Sequence, residues 1–166
     1  MSLTARMKPL RLRVLTSGET LLAQEVFGDA VETARVRVLA LPVWRRAFAA
    51  GSRLMVFPLS HAAADFSVES RALQGLFVHE LTHVWQAQRG TALLPAKLRA
   101  GDRPDSYAYD LFDGRDFAAL NIEQQAMVVQ HAFLASRGAK SPFPAPAYGV
   151  YLAGLAPRQS DKPRNV

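Results

Sequence analysis

Residues 77–90 read FVHELTHVWQAQRG, and the presence of two histidines and a glutamate inside an otherwise apolar, helix-forming run decides how the chain is read. His79 and His83 stand four apart, and Glu80 follows the first directly. On an α-helix, residues four apart differ by about 40° in azimuth and about 6 Å in height, so the two imidazoles project side by side and can grip one cation. Glu80 lies about 100° round from His79, flanking that face without being forced onto it. Four histidines and six glutamates in 166 residues give ~0.003 chance occurrences of this spacing. The competing reading makes His79 and His83 ordinary buried histidines and Glu80 a solvated side chain. It would leave three polar groups on the buried side of one helix with no partner charge, which is costly.

The surroundings favour a helix at this point. Asp65, Ser67 and Ser70 offer N-caps, Leu73, Leu76, Phe77, Val84 and Trp85 recur at helical spacing, and Gly90 supplies the stop after Arg89. Gly75 costs helix propensity but permits close approach of a neighbour. Upstream, Thr16 and Glu19 form a capping box opening a helix over Ser17–Phe27, ended by Gly28. ARVRVLAL (34–41) alternates at period two until Pro42, and RLMVF (53–57) is closed by Pro58. Both read as strands, paired as a small antiparallel sheet. Residues 91–116, rich in Pro, Gly and Asp, read as an irregular excursion with one short helix. A second long helix is expected over Asn121–Ser136, with Asn121 and Gln124 as its cap pair and Gly138 as its stop. SPFPAPAYGVYLAGLAP (141–157) reads as an extended Pro-rich wrap. The organisation expected is one domain over residues 1–156 and a disordered tail over 157–166.

Composition removes several function classes. Without cysteine there is neither a disulfide framework nor a thiolate metal site, so a metal must be held by nitrogen and oxygen. The net charge of +6 is not gathered into a binding face. Arg6, Lys8, Arg11 and Arg13 crowd the N-terminus, Lys162 and Arg164 lie in the polar tail, and no aromatic interleaving accompanies them, so no specific nucleic-acid partner is expected. The basic N-terminus lacks an apolar run with a small-residue cleavage site, and no stretch reaches membrane-spanning length. The cytoplasm is the default expectation, and a protein exported without a cleaved signal would look the same.

Zinc, bonded by imidazole at about 2.0–2.1 Å, takes a third protein ligand and leaves its fourth place to water in a catalytic site. The downstream candidates are Asp102, Asp105, Asp110, Asp113, Asp116, Glu123 and His131. Glu123 is preferred because it opens the second long helix, and a rigid element positions a ligand better than an irregular excursion. His131 follows by eight residues, rotated by about 80° and more than two turns on, so both reach one ion only with difficulty. Glu80 stands where a general base must stand to take a proton from a metal-bound water. Tyr107, Tyr109 and His131 are the residues of the right type to donate a hydrogen bond to a developing oxyanion. The edge of RLMVF offers an extended peptide a strand to pair with, unless that edge is covered.

HELTHVWQ (79–86) with NIEQQA (121–126), and VFGDAV (26–31) and DFS (65–67) before them, resemble small bacterial zincin-like proteins of gluzincin type, some of them Vgr-related. The resemblance covers roughly residues 16–135. It implies an α+β, zincin-like fold, with the small sheet bordering the HExxH helix and a second long helix carrying the third ligand. It also implies His79, His83 and Glu123 as Zn²⁺ ligands and Glu80 as base. Gluzincins place Asn immediately before the ligand Glu and a carboxylate four residues after it, whereas here Asn121 stands two before and Met127 holds the later position. The carboxylate orienting a ligand histidine is therefore expected from elsewhere, with Asp110 and Asp113 the candidates. The function expected is a zinc-dependent peptidase-like protein that hydrolyses peptide bonds of a peptide or protein substrate by metal-activated water. The alternative is a non-catalytic, metal-stabilised protein-interaction module associated with a secretion or toxin system.

Overall fold

The two aliphatic runs become the inner strands of a sheet. The computed structural model describes residues 5–152 and arranges β1 (Leu12–Val14), β2 (Arg37–Leu41), β3 (Phe48–Ala49) and β4 (Leu54–Pro58) in the order β1-β2-β4-β3. β1 is antiparallel to β2 and β3 is antiparallel to β4, but β2 and β4 run parallel, with Val38 opposite Met55 and Ala40 opposite Phe57. The expected antiparallel pairing of the two main strands is thus corrected to a mixed sheet. The reason lies in the connection, which carries a strand of its own. After Pro42 the chain passes beyond the place of β4, returns as β3 on the sheet's edge, and turns at Gly51 (φ +88°) into β4. Only glycine occupies that left-handed conformation at little cost.

Helix α1 (Ser17–Phe27) opens on the capping box read from sequence, with Thr16 Oγ1 accepting from the Glu19 amide and Glu19 accepting from the Thr16 amide. Glu19 does more than cap. Fully buried, it receives both guanidinium nitrogens of Arg13 at 2.7 and 2.6 Å and the Phe66 amide at 2.8 Å, tying β1, α1 and the turn before the next helix together. A buried carboxylate with this many donors is stable only while all of them remain.

Helix α2 (Arg71–Gln88), capped by Ser70, carries the motif and packs against β3, β4 and the long helix α5 (Ile122–Ser136). A Cβ at Gly75 would meet the Leu134 side chain at 3.2 Å, so the glycine sets how closely the two helices approach. The excursion between them holds two helices where one was expected, α3 (Leu93–Ala100) and α4 (Pro104–Tyr107). The expected extended wrap is likewise corrected in part. Ala145–Leu152 is a helix, α6, with Tyr148 fully buried and Tyr151 nearly so. Pro144 and Pro146 fall before and within its first turn, where a helix lacks amide partners anyway, so these prolines start the helix instead of preventing it. The tail expected at 157–166 lies outside the described residues. Among the described residues no helix is long and apolar enough to cross a membrane.

Replacing Glu19 by Ala strands the Arg13 guanidinium and two amides, and is expected to cost about 3–5 kcal/mol of stability. Urea unfolding followed by circular dichroism measures it, with the midpoint falling and the slope unchanged.

Candidate metal centre

The two long helices bring three electron-pair donors to one point. His79 and His83 project from consecutive turns of α2, their ring centroids 5.0 Å apart and their planes at 83°. Glu123 comes from the first turn of α5, where Asn121 Oδ1 caps the helix by accepting from the Glu123 and Gln124 amides, both at 2.9 Å. Gln124 returns the cap by accepting from the Asn121 amide at 3.1 Å, and Asn121 Nδ2 donates to the Ser106 carbonyl of α4. Glu123 Oε2 lies 3.4 Å from His79 Nε2 and 3.2 Å from His83 Nε2, and the ligating atoms of all three residues fall within 4.8 Å of one another. All three residues are buried, at 8%, 0% and 3% exposure in chain order.

Two ligands bonded to zinc at 2.0–2.1 Å with a tetrahedral angle between them stand about 3.3 Å apart. The distances found between Glu123 Oε2 and the two histidine nitrogens therefore suit that ion. The donor chemistry agrees. The Gln86 amide nitrogen donates to the Ile122 carbonyl at 3.0 Å and to Gln125 Oε1 at 2.9 Å, which turns its oxygen to accept from His83 Nδ1 at 2.8 Å. With the proton on Nδ1, the lone pair of His83 Nε2 faces the carboxylate. Such facing lone pairs require a shared positive charge, supplied by a second proton on the ring, which then donates to Glu123, or by a metal ion.

Gln86, only 2% exposed, is the residue that sequence reasoning did not assign. Its legible signal was a position three residues after His83 on the same helix, which puts the two side chains on one face. It replaces Asp110 and Asp113, the carboxylates expected to orient a histidine. Asp110 accepts from the Phe112 amide and Asp113 pairs with Arg115, so neither reaches the histidines. The Nδ1 atom of His79 is buried without a hydrogen-bond partner.

Glu80 is 4% exposed, and its Oε2 is buried without a partner. Burial pushes its carboxyl up from the ordinary range, while His79, Lys97 and the Ala49 backbone amide draw it part of the way back. For Glu123 burial also acts upward, but hydrogen bonds to His79 and His83 and the Lys97 charge win and hold it well below the ordinary carboxylate range. Lys97 Nζ lies 3.3 Å from Glu123 Oε1.

His79, Glu80 and Glu123 line a cleft of about 650 Å³, bounded also by Trp44–Phe48 before and within β3 and by Lys97, Leu98, Asp102 and Tyr107. Of the expected oxyanion donors only Tyr107 lines this cleft. Its hydroxyl donates to Asp102 Oδ1 at 2.8 Å and accepts from Arg46 at 3.2 Å. Burial and the Asp102 carboxylate push the phenol up to about 12. Tyr109 and His131 are instead joined to each other at 2.7 Å, and Tyr109 meets Tyr148 at 3.1 Å, tying α6 to α5 away from the cleft. The remaining ligand candidates stay apart as well, with Asp102 paired to Arg46 and Asp105 and Asp116 exposed. Within the sheet, RLMVF has no free edge, because β2 and β3 flank it. The free edge beside α2 belongs to β3.

No family model matches the chain. Two comparisons do find relatives. An alignment over 136 positions, 38% identical and covering 74% of this chain, matches the type VI secretion system spike protein VgrG2b of Pseudomonas aeruginosa, of which it spans only 13%. A solved structure, the effector domain of Pseudomonas aeruginosa VgrG2b, superposes with a TM-score of 0.67 at 31% identity, covering 93% of this chain and 89% of that one. The chain is thus Vgr-related, as the residues of its two helices suggested. It belongs to the family of the VgrG2b effector domain.

If Gln86 fixes the tautomer of His83, Gln86→Leu lowers zinc affinity about 10–100-fold while the fold persists. Competition against a chromophoric chelator measures the affinity.

Proposed function

We propose that the chain is a zinc-dependent peptidase-like module of a secretion-system effector, hydrolysing peptide bonds of a peptide or protein substrate by metal-activated water. The observation that carries this reading is the tetrahedral-edge spacing of Glu123 Oε2 from His79 and from His83, with all three ligating atoms within 4.8 Å of one another, set beside a buried Glu80 carboxylate with a free oxygen. On this reading the fold is zincin-like and the three residues hold Zn²⁺, which when bound would lower the pKa of a water and polarise a carbonyl.

The chain's own groups do the rest. Glu80, its affinity for a proton raised by burial, is the base that takes a proton and later passes it to the leaving amine. The outer edge of β3 (Phe48–Ala49) has no strand paired to it among the described residues and Phe48 lines the cleft, so an extended peptide can lie along it once the Ala49 amide is given up by Glu80. Tyr107 lines the cleft and keeps its proton throughout the neutral range, and it becomes a donor to a developing oxyanion once its hydroxyl turns from Asp102. Zinc content is expected near one per chain and absent in His79→Ala. Glu80→Gln keeps the zinc and loses about 10²–10⁴ in kcat/KM toward an unstructured peptide. A variant hydrolysing at the parent rate removes Glu80 as base.

A second reading shares the metal but not the chemistry, namely a non-catalytic module stabilised by zinc that binds protein partners. The kinship with the effector domain of a type VI spike protein favours the setting named by this reading. Chelation separates the two. The module loses folding on chelation and cleaves no peptide when reloaded, whereas the enzyme regains cleavage with zinc.

A further inference from the structure

Glu123 divides its two oxygens between different neighbours. Oε2 faces His79 Nε2 at 3.4 Å and His83 Nε2 at 3.2 Å, while Oε1 turns away and lies 3.3 Å from Lys97 Nζ. The carboxylate is almost fully buried, whereas the Lys97 side chain remains 33% exposed and reaches in along the cleft. The ammonium is held there by its helix. Leu93 and Ala96 bury one face of α3, and Lys97 follows Ala96 directly. Among the described residues no other lysine or arginine comes within ion-pair distance of Glu123.

A carboxylate in such a dry setting, with both oxygens free, would turn both toward a divalent ion, because water offers the second oxygen no competing partner. The second oxygen would join the two imidazoles, the first oxygen and the water as a fifth donor, filling the position into which a catalytic site expands when substrate binds. We propose that Lys97 is a positioning residue that engages Oε1 of Glu123 and so restricts the carboxylate to one oxygen toward the metal, keeping the fifth coordination position open beside the water. The proposal rests on His79, His83 and Glu123 being the ligands, and it adds a residue on a third helix, α3, as the determinant of coordination number.

Cobalt(II) reports that number directly, since its visible bands are intense in four-coordinate sites and weaken when a fifth ligand enters. The test uses the full chain loaded with Co²⁺, as the parent and as Lys97→Met, Lys97→Ala and Lys97→Arg, with folding of each followed by circular dichroism before and after loading. The parent is expected to give the intense four-coordinate spectrum, both neutral variants a band weakened roughly threefold as the second oxygen binds, and Lys97→Arg the parent spectrum. A merely structural ion pair would lower the melting temperature of the metal-free protein and leave the cobalt spectrum unchanged. That result overturns the proposal, as does a weak five-coordinate spectrum in the parent or an arginine variant that behaves like methionine. A parent chain binding no Co²⁺ overturns the ligand set and this proposal together, whereas a parent binding it with an unchanged Lys97→Met spectrum overturns the role of Lys97 alone.

Discussion

One buried carboxylate oxygen facing two buried imidazole nitrogens at 3.4 and 3.2 Å forms the constraint that the surrounding structure has to satisfy. Two imidazoles on one helix are placed by helix geometry alone, but a carboxylate on another helix can join them only if both the spacing and the rotation of the pair are fixed. Gly75 sets the spacing by letting α2 approach Leu134 of α5. Asn121 sets the point at which α5 begins, and therefore the direction in which Glu123 leaves it. Gln86 then links the two helices, accepting from His83 and donating to the Ile122 carbonyl and Gln125 at the start of α5. Each device is small. Together they hold the three donors converged on one point.

The electrostatics divide the two glutamates into different roles. Both are nearly inaccessible to water, and burial pushes both carboxyls toward the neutral form. Glu123 escapes this because two histidines and Lys97 surround it, so it stays anionic. Glu80 has weaker support, from His79, Lys97 and one backbone amide, and retains an oxygen without a partner. Two carboxylates pushed apart in this way, one fixed as an anion and one free to exchange a proton, is the arrangement expected where one group holds charge and the other moves protons.

The site's inventory was legible in the sequence because helix periodicity turns spacing into position. His79, His83, Glu80 and the choice of Glu123 all follow from residues on two capped amphipathic helices, and the caps Thr16, Ser70 and Asn121 are those the structure uses. What failed to show depends on contacts between distant segments. The parallel pairing of β2 and β4 came from a two-residue edge strand too short to register as a pattern. The helix α6 was hidden by prolines that break a helix in its interior but are tolerated in its first turn. Lys97 meets Glu123 across 26 positions of chain, and Gln86 meets Ile122 across 36, separations over which periodicity carries no information.

If the three donors hold zinc as proposed, the same geometry ties the fold to the ion. An unfolded chain holds no preformed site, so the free energy of binding three converging donors appears as stability of the α2–α5 pair. Without a cation, Lys97 offsets the Glu123 charge through Oε1 only, and Oε2 still faces two imidazole nitrogens across a dry gap. On that reading the strain falls on the Asn121 end of α5, which polar contacts hold, Asn121 to the Ser106 carbonyl, Gln124 to the Ala108 carbonyl, and Gln86 to the Ile122 carbonyl and Gln125. The opposite end is held by the apolar approach of Leu134 to Gly75 and has no reason to part. On that reading metal occupancy acts on one end of one helix pair, the end whose Glu123 lines the cleft.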